Sequence, residues 1–223
     1  MTRILAVVEG QTEEAFIGSI VAPAFWNRNI CVSAIVLGRP GHKGGRVNYA
    51  RMSHDVLMLL KQQHDAYCTT MVDLYRLGPG FPGTPPPNHL SNLEKVRHIE
   101  AAFKKDICDR IPQLRPDLRF IPYLQLHEYE GLLFSDPQRF ASGINRSSLA
   151  SHFQKIRDQF ETPEDINDDP ETAPSKRILT LYPPYRKVIE GAQAASSIGL
   201  PALRAACPHF REWLELLEAV EEL

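Results

Sequence analysis

The chain has 223 residues, of which 43% are hydrophobic and 23% are charged. This composition is ordinary for a folded domain and excludes a chain that is disordered throughout. Lys and Arg number 25 against 27 Asp and Glu, which gives a formal net charge of -2, so no overall positive field draws the protein to nucleic acid or to a membrane. Any nucleic-acid site must therefore be a local basic patch.

The aliphatic segments are too short to cross a membrane. The longest, at residues 4–8 and 56–60, contain five residues each, whereas a membrane-spanning helix needs roughly 20. The first of them ends at Glu9, too early for the apolar part of a secretory signal. The four cysteines are far apart and form no CxxC pair, as is usual for reduced thiols. We therefore predict a cytoplasmic protein with no membrane segment.

Strands and helices alternate along the first part of the chain. Residues 4–8 form an apolar run typical of a strand that is buried on both faces, and Thr12 then suits the N-cap of a helix that ends near Pro23. The following elements are strands at 31–37, 69–74 and 120–125 and helices at 47–62 and 91–109. This order predicts an α/β fold with a mostly parallel, four-stranded sheet flanked by helices.

The pattern changes after residue 140. The remaining sequence contains polar and proline-containing segments, and it ends with an amphipathic helix whose apolar stripe includes Trp213. The acidic, turn-rich stretch at 161–174 is typical of an exposed loop. We therefore predict an α/β domain at 1–140 and a mainly helical C-terminal extension at 141–223, packed on the same domain.

Two glycine-containing loops resemble nucleotide-binding motifs. Residues 78–83 match GxGxxG, but Pro79 and Pro82 remove amide donors and prevent the helix that a dinucleotide site requires. We interpret this segment as a surface loop. The basic stretch at 38–46 lacks the GxxxxGK[ST] pattern, so Lys43 and Arg46 either contact phosphate or belong to a solvated turn.

Acidic residues follow the predicted strands. Glu9 ends the first strand, Glu13 begins the next helix and Asp73 closes the third strand. Glu128 and Glu130 come after the fourth strand. Because the carboxyl ends of parallel strands share one edge, Glu9, Glu13 and Asp73 are expected to converge there, together with at least one of Glu128 and Glu130. Converging carboxylates repel unless a cation neutralises them, and oxygen ligands suit Mg²⁺ or Mn²⁺. The alternative for each acid is a helix cap or a surface charge.

A pair of cations, Lys176 and Arg177, follows the acidic stretch. They can contact a phosphodiester backbone, or they can simply balance the nearby acids. The residue types alone do not separate these two alternatives.

Four short motifs are informative as a set. They are VVEGQTE at 7–13, VDLYR at 72–76, HEYEGLLFSD at 127–136 and PSKRI at 174–178. Together they resemble the DUF4276 family along nearly the whole chain. That family is similar to the Toprim fold, the metal-binding α/β domain of topoisomerases, primases and OLD-type nucleases. The resemblance implies that Glu9 is the Toprim glutamate, that Glu13 is the second acid of VEGxTE, and that Asp73 is the first acid of the DxD motif.

The chain departs from the DxD motif at Tyr75, which stands where the second aspartate is expected. A metal site of this kind would therefore need Glu128 or Glu130 to complete it. The resemblance also implies a prokaryotic source and an ATPase partner, as in phage-defence systems.

The leading hypothesis is a Mg²⁺- or Mn²⁺-dependent phosphodiester hydrolase, a nuclease, that acts on nucleic acid. In this hypothesis the acids hold the metal, and the phosphates bind to cations at Lys43, Arg46, Lys176 and Arg177. One alternative is a non-catalytic Toprim-like module that binds a partner ATPase. Another is a metal-dependent phosphatase or nucleotide-processing enzyme that acts on small substrates.

Overall fold

A computed structural model describes residues 1–38, 48–166 and 172–221. Lys43 and Arg46 lie outside these ranges. The strands are β1 (Thr2–Val8), β2 (Ile30–Val36), β3 (Ala66–Asp73), β4 (Phe120–Ile121) and β5 (Leu124–Gln125). The α-helices are α1 (Gln11–Phe16), α2 (Ala22–Phe25), α3 (Tyr49–Gln62), α4 (Asn92–Arg110), α5 (Pro116–Arg119), α6 (Glu130–Leu133), α7 (Pro137–Gly143), α8 (Ala150–Arg157), α9 (Pro174–Leu181), α10 (Lys187–Ile198), α11 (Leu200–Ala206) and α12 (Pro208–Glu218).

The strand pairs of the described residues are all parallel. β1 lies between β2 and β3, and the other side of β3 pairs with β4 and then with β5. Every residue of β3 is buried. The predicted α/β fold, with a mostly parallel sheet flanked by helices and a mainly helical C-terminal part, is confirmed.

The strand predicted at 120–125 is divided into β4 and β5. Pro122 lies between them and has no N–H to donate to the sheet. The hydroxyl of Thr70 replaces the missing ladder bond, because it accepts the N–H of Tyr123 at 2.9 Å and donates to the carbonyl of Tyr123 at 2.8 Å. A side chain of β3 thereby maintains the pairing with the edge strand across the proline.

Helices cover both faces of the sheet. On one face, α3 and α4 form a core that includes Val56 and Phe103. On the other face, Phe16 of α1 packs against Tyr129, at 5.2 Å between ring centroids, and against Phe210 of α12, at 5.8 Å. The predicted domain boundary at 140 falls inside α7, and the second core contains residues from both sides of that boundary.

The helix after β1 differs from the prediction at both ends. Its N-cap is Gly10 rather than Thr12, because the Glu13 carboxylate accepts the N–H of Gly10 at 3.1 Å. The helix also continues beyond Pro23, through a π-helical turn at Ile17–Val21 and into α2. A regular α-helix would bring the proline ring against the carbonyl four residues earlier, and this carbonyl lies within the wider π turn.

Part of the acidic stretch at 161–174 is buried, so the prediction of an exposed loop was wrong for these residues. Glu164 is 3% exposed, and its two carboxylate oxygens accept the N–H groups of His209 at 2.8 Å and Phe210 at 2.9 Å. Ile166 is also buried. Glu164 therefore caps α12 from a distance of 45 residues along the chain, which no local pattern can indicate. Residues 167–171 lie outside the described ranges.

Replacing Glu164 by Ala is expected to lower the free energy of unfolding by about 2 kcal/mol, since it removes a helix cap and leaves two buried N–H groups without a partner. Denaturant-induced unfolding measures this loss. Glu161→Ala is the matched control, because Glu161 is an exposed acid three residues earlier, and it should change stability by less than about 0.5 kcal/mol. Equal losses in the two variants would contradict the capping role.

The segment at 78–83 is a loop, as interpreted from its prolines. The next helix, α4, begins only at Asn92, where Ser91 and Glu94 form a capping box. Within the described ranges, no helix combines the length and the apolar character that spanning a membrane requires.

Candidate functional site

The acids predicted from the sequence meet at the carboxyl edge of the sheet. Glu9 and Asp73 share this edge because β1 and β3 are adjacent and parallel. Glu13 lies in the first turn of α1, Glu130 is the first residue of α6, and Glu128 lies two residues before it. Glu9 interacts electrostatically with Glu13 and Glu128, and Asp73 interacts with Glu13, Glu130 and Glu9. We refer to these five residues as the acid cluster.

The acid cluster is largely removed from water. Glu130 is fully buried, Asp73 is 2% exposed and Glu13 is 4% exposed. Oε2 of Glu9 and Oε1 of Glu130 are buried and accept no hydrogen bond within the described ranges. Burying a carboxylate is costly unless it is paired. The described residues provide no hydrogen-bond donor for these two oxygen atoms, so a bound ligand could pair with them.

Burial and mutual repulsion raise the pKa of several cluster residues. Burial is the largest cause at Glu9, where repulsion from Glu13 adds to it and the pKa rises from 4.5 to about 7. Burial also raises the pKa of Asp73 well above its usual value, although Lys187 opposes this change. The pKa of Glu130 is raised, again mainly by burial. Raised pKa values of this origin are typical of functional sites.

The acid cluster contains a cation that sequence analysis missed. Nζ of Lys187 lies 3.0 Å from Oε2 of Glu130 and 3.6 Å from Oδ2 of Asp73. Burial alone would lower the pKa of Lys187, but the attraction of Asp73, Glu130 and Glu13 outweighs burial and raises it, so this amine is protonated at neutral pH. Lys187 is the first residue of α10, where the helix dipole disfavours a positive charge. A lysine at this unfavourable position was the one signal in the sequence that Lys187 forms an ion pair with a distant carboxylate.

Backbone groups hold two of the carboxylates in place. Oδ1 of Asp73 accepts the N–H of Tyr129 at 2.9 Å. Oε2 of Glu128 accepts the N–H of Ser175, in the first turn of α9, at 3.0 Å. At the rim of the cluster, Nε of Arg76 lies 3.6 Å from Oε1 of Glu9. The cluster is therefore fixed by contacts from three separate parts of the chain.

Tyr75, which stands where the DxD motif has its second aspartate, does not supply a carboxylate. Its side chain is exposed, with 39% of the residue accessible to solvent, and its ring lies 5.2 Å from that of His127 between centroids. His127 adopts a left-handed backbone conformation with a φ of 59°, which is uncommon for a residue other than glycine. The buried acids that act on Asp73 are Glu13 of α1 and Glu130 of α6.

Lys176 and Arg177 lie in the first turn of α9, next to the Ser175 N–H that binds Glu128. They line a groove between α8 and α9 together with Lys155. Nε–H of Arg177 donates to the carbonyl of Thr172 at 2.7 Å. These two residues thus follow a backbone contact with the acid cluster, and their side chains line a separate groove.

The donor set of the cluster suits a hard divalent cation, because its ligands are carboxylate oxygens and two of these are buried without a hydrogen bond. Within the described ranges, however, no three Asp, Glu, His or Cys side chains are arranged to share one metal ion. The positive charge next to Asp73 and Glu130 is the ammonium of Lys187. The residues therefore fit Mg²⁺ or Mn²⁺ in their chemistry, and binding would require side chains to shift.

The fold and the cluster define an α/β protein with a buried polar centre at the sheet edge where such folds bind ligands. The model of the family described as Domain of unknown function (DUF4276) matches residues 8–218. The chain belongs to this family. The C-terminal region of the Xanthomonas campestris pv. campestris OLD protein is similar to the chain with a TM-score of 0.43 and 16% sequence identity, over 98% of this chain and 95% of that chain. No curated protein matches the chain at a significant level.

The stability of the protein is expected to fall as the pH rises from about 4.5 to above 7, in part because of Glu9. Its pKa is 4.5 in an unfolded chain and about 7 in the folded protein. The stabilisation from its bound proton is complete below the lower value and is lost as the pH passes through the higher one; it amounts to roughly 3 kcal/mol.

Glu9→Gln removes this titrating group, so the free energy of unfolding should depend less on pH in this variant than in the wild type. Chemical denaturation at several pH values between about 4 and 8 measures the difference. Glu14→Gln is the control, since Glu14 is exposed on the same helix and should leave the wild-type profile intact. Parallel profiles for wild type and Glu9→Gln would disprove the raised pKa.

Proposed function

We propose that the protein is a metal-dependent phosphodiester hydrolase that acts on nucleic acid. The supporting observation is the acid cluster: buried carboxylates and the protonated Lys187 share the edge of the sheet where α/β folds bind ligands. Lys176 and Arg177 lie in the first turn of α9, directly after the Ser175 N–H that binds Glu128, so cations suited to phosphate groups are near the cluster. The net charge of -2 restricts contact with nucleic acid to this local region.

Glu9, Glu13 and Asp73, with Glu128 or Glu130, are the residues that would hold Mg²⁺ or Mn²⁺. When bound, the ion would supply an activated water and neutralise charge on the leaving oxygen. The backbone N–H groups of Tyr129 and Ser175 restrain Asp73 and Glu128, and other carboxylates of the cluster would shift to share the ion with them.

Lys187 would stabilise negative charge on the phosphodiester. Its ammonium is held by Glu130 and Asp73, so it is already oriented before a substrate arrives. A preoriented cation in a water-poor site stabilises the charge that develops in a transition state more than a solvated one does. Lys187 also limits repulsion among the acids before substrate binds.

A second candidate function is a non-catalytic module that binds a partner ATPase. It is favoured by Tyr75, which leaves the DxD motif incomplete, and by Lys187, which neutralises part of the acid cluster without a metal. The ATPase partner and a role in phage defence rest on the family resemblance alone.

A cleavage assay separates these functions. The full chain is incubated with Mg²⁺, Mn²⁺ or EDTA, with single- and double-stranded DNA and RNA, and with mononucleotides. Cleavage of polynucleotides that EDTA abolishes is the expected result. Hydrolysis of mononucleotides alone would indicate a phosphatase, and the absence of any reaction, also with an ATPase partner present, would favour the non-catalytic module.

A further inference from the structure

A groove between α8 and α9 lies outside the acid cluster. Its volume is about 290 Å³, which is close to the lower limit for pockets that bind small organic ligands. The side chains of α8 contribute Lys155 and Ile156, and those of α9 contribute Lys176, Arg177 and Leu181. We refer to it as the basic groove.

The basic groove is positively charged on its walls. Lys155, Lys176 and Arg177 line it, and no acidic residue of the described ranges does so. Neither lysine forms an ion pair with a carboxylate in those ranges. Like charges that face one groove repel each other, so the arrangement favours a negatively charged occupant.

Arg177 is oriented before any ligand binds. Its Nε–H donates to the carbonyl of Thr172, and its guanidinium lies 5.2 Å from the centre of the Phe160 ring. A side chain fixed in this way loses less conformational entropy when it binds an anion. Ile156 and Leu181 add an apolar surface to the one formed by the cations. A ligand that contacts both the cationic and the apolar surface carries a phosphate and a flat apolar group.

The basic groove begins next to the acid cluster. The N–H of Ser175 binds Glu128, and Lys176 is the following residue. From Lys176 to Leu181 the helix rises by about 7.5 Å. A stacked nucleic-acid strand advances roughly 3.4 Å per nucleotide, so the groove has the length of about two nucleotides.

We propose that the basic groove binds the nucleotides next to the cleaved phosphodiester of a single-stranded nucleic acid. The phosphates contact Lys155, Lys176 and Arg177, while an unpaired base lies on Ile156 and Leu181. A duplex keeps its bases stacked inside, so it offers the groove only phosphates. This inference rests on the proposed function and specifies single strands as its substrate class.

The test measures binding without cleavage, in EDTA, by fluorescence anisotropy of a labelled single-stranded oligonucleotide and of its duplex. Lys155→Ala should weaken single-strand binding about tenfold near 50 mM salt and reduce the salt slope by about one. The wild type should bind the single strand more tightly than the duplex, because only a single strand places an unpaired base on Ile156 and Leu181. Lys61→Ala is the matched control, because Lys61 is an exposed lysine of α3, and it should leave both affinities unchanged.

Equal effects of Lys155→Ala and Lys61→Ala would overturn the groove assignment. Equal affinities of the wild type for single strand and duplex would overturn the preference for single strands. Unchanged melting temperatures of both variants exclude unfolding as the cause. Since the assay needs no catalysis, its result is separate from that of the cleavage assay. If the protein cleaves nucleic acid but Lys155→Ala does not weaken binding, only the assignment of the basic groove is refuted. If Lys155→Ala weakens binding but no cleavage occurs, only the hydrolase function is refuted.

Discussion

Glu9→Gln is expected to abolish metal-dependent cleavage, with a fall in rate of about 100-fold or more. The amide has nearly the same shape as the carboxylate but removes one negative charge from the acid cluster. A ligand charge that stabilises the metal acts mainly in the transition state, so turnover should fall more than substrate affinity. Initial rates over a range of substrate and Mg²⁺ concentrations measure both quantities.

Glu14→Gln is the control for this experiment, because Glu14 is exposed on α1, next to the buried Glu13. It should retain wild-type cleavage. Undiminished cleavage by Glu9→Gln would mean that the reaction takes place elsewhere or comes from a contaminating nuclease. If cleavage is lost equally in both variants, the cause is not the acid cluster.

Lys187→Met is expected to lower the free energy of unfolding by about 3 kcal/mol at pH 8, because Asp73 and Glu130 then remain buried without their cation. This is the lower end of the range for broken buried ion pairs, since the Lys187 side chain is 33% exposed. The loss should shrink at pH 5, where both acids hold protons more readily because burial raises the pKa of each. Denaturant unfolding at the two pH values measures it.

Arg186→Met provides the comparison for Lys187→Met. Arg186 is adjacent, and its side chain is 66% exposed and 3.8 Å from Glu190, so its loss should cost less than about 1 kcal/mol. A Lys187→Met variant as stable as Arg186→Met at pH 8 would show that Lys187 does not neutralise the acid cluster. A deficit that grows as the pH falls would contradict the assigned sign of the titration.

The position of the acids was accessible to sequence analysis because it depends on local patterns. Glu9 and Asp73 each follow a buried apolar strand, and parallel strands bring such residues to one edge. The division of the strand at 120–125 was also foreseeable, since Pro122 stands within the run. In each case one strand and its flanking residues contain all the necessary information.

Contacts between distant segments could not be predicted in the same way. Lys187 meets Asp73 only because α10 packs against the edge that β3 reaches, and Glu164 caps α12 from 45 residues away. Residue type made Lys176 and Arg177 candidate phosphate ligands, but the groove that they line also requires α8. The hydrophobic periodicity of the sequence does not indicate how these helices pack against each other.

In the proposed function, the hydrogen bond from the Ser175 N–H to Glu128 would link cation binding at the acid cluster to ligand binding in the basic groove. A cation bound at Oε2 of Glu128 would compete with the Ser175 N–H for that oxygen, and the first turn of α9 carries Lys176 and Arg177. A cation bound at the cluster would change the affinity of the basic groove for its ligand by some factor. By linkage, the groove ligand would change the affinity of the cluster for the cation by the same factor. Metal titrations with and without a short oligonucleotide therefore measure one coupling free energy from either side.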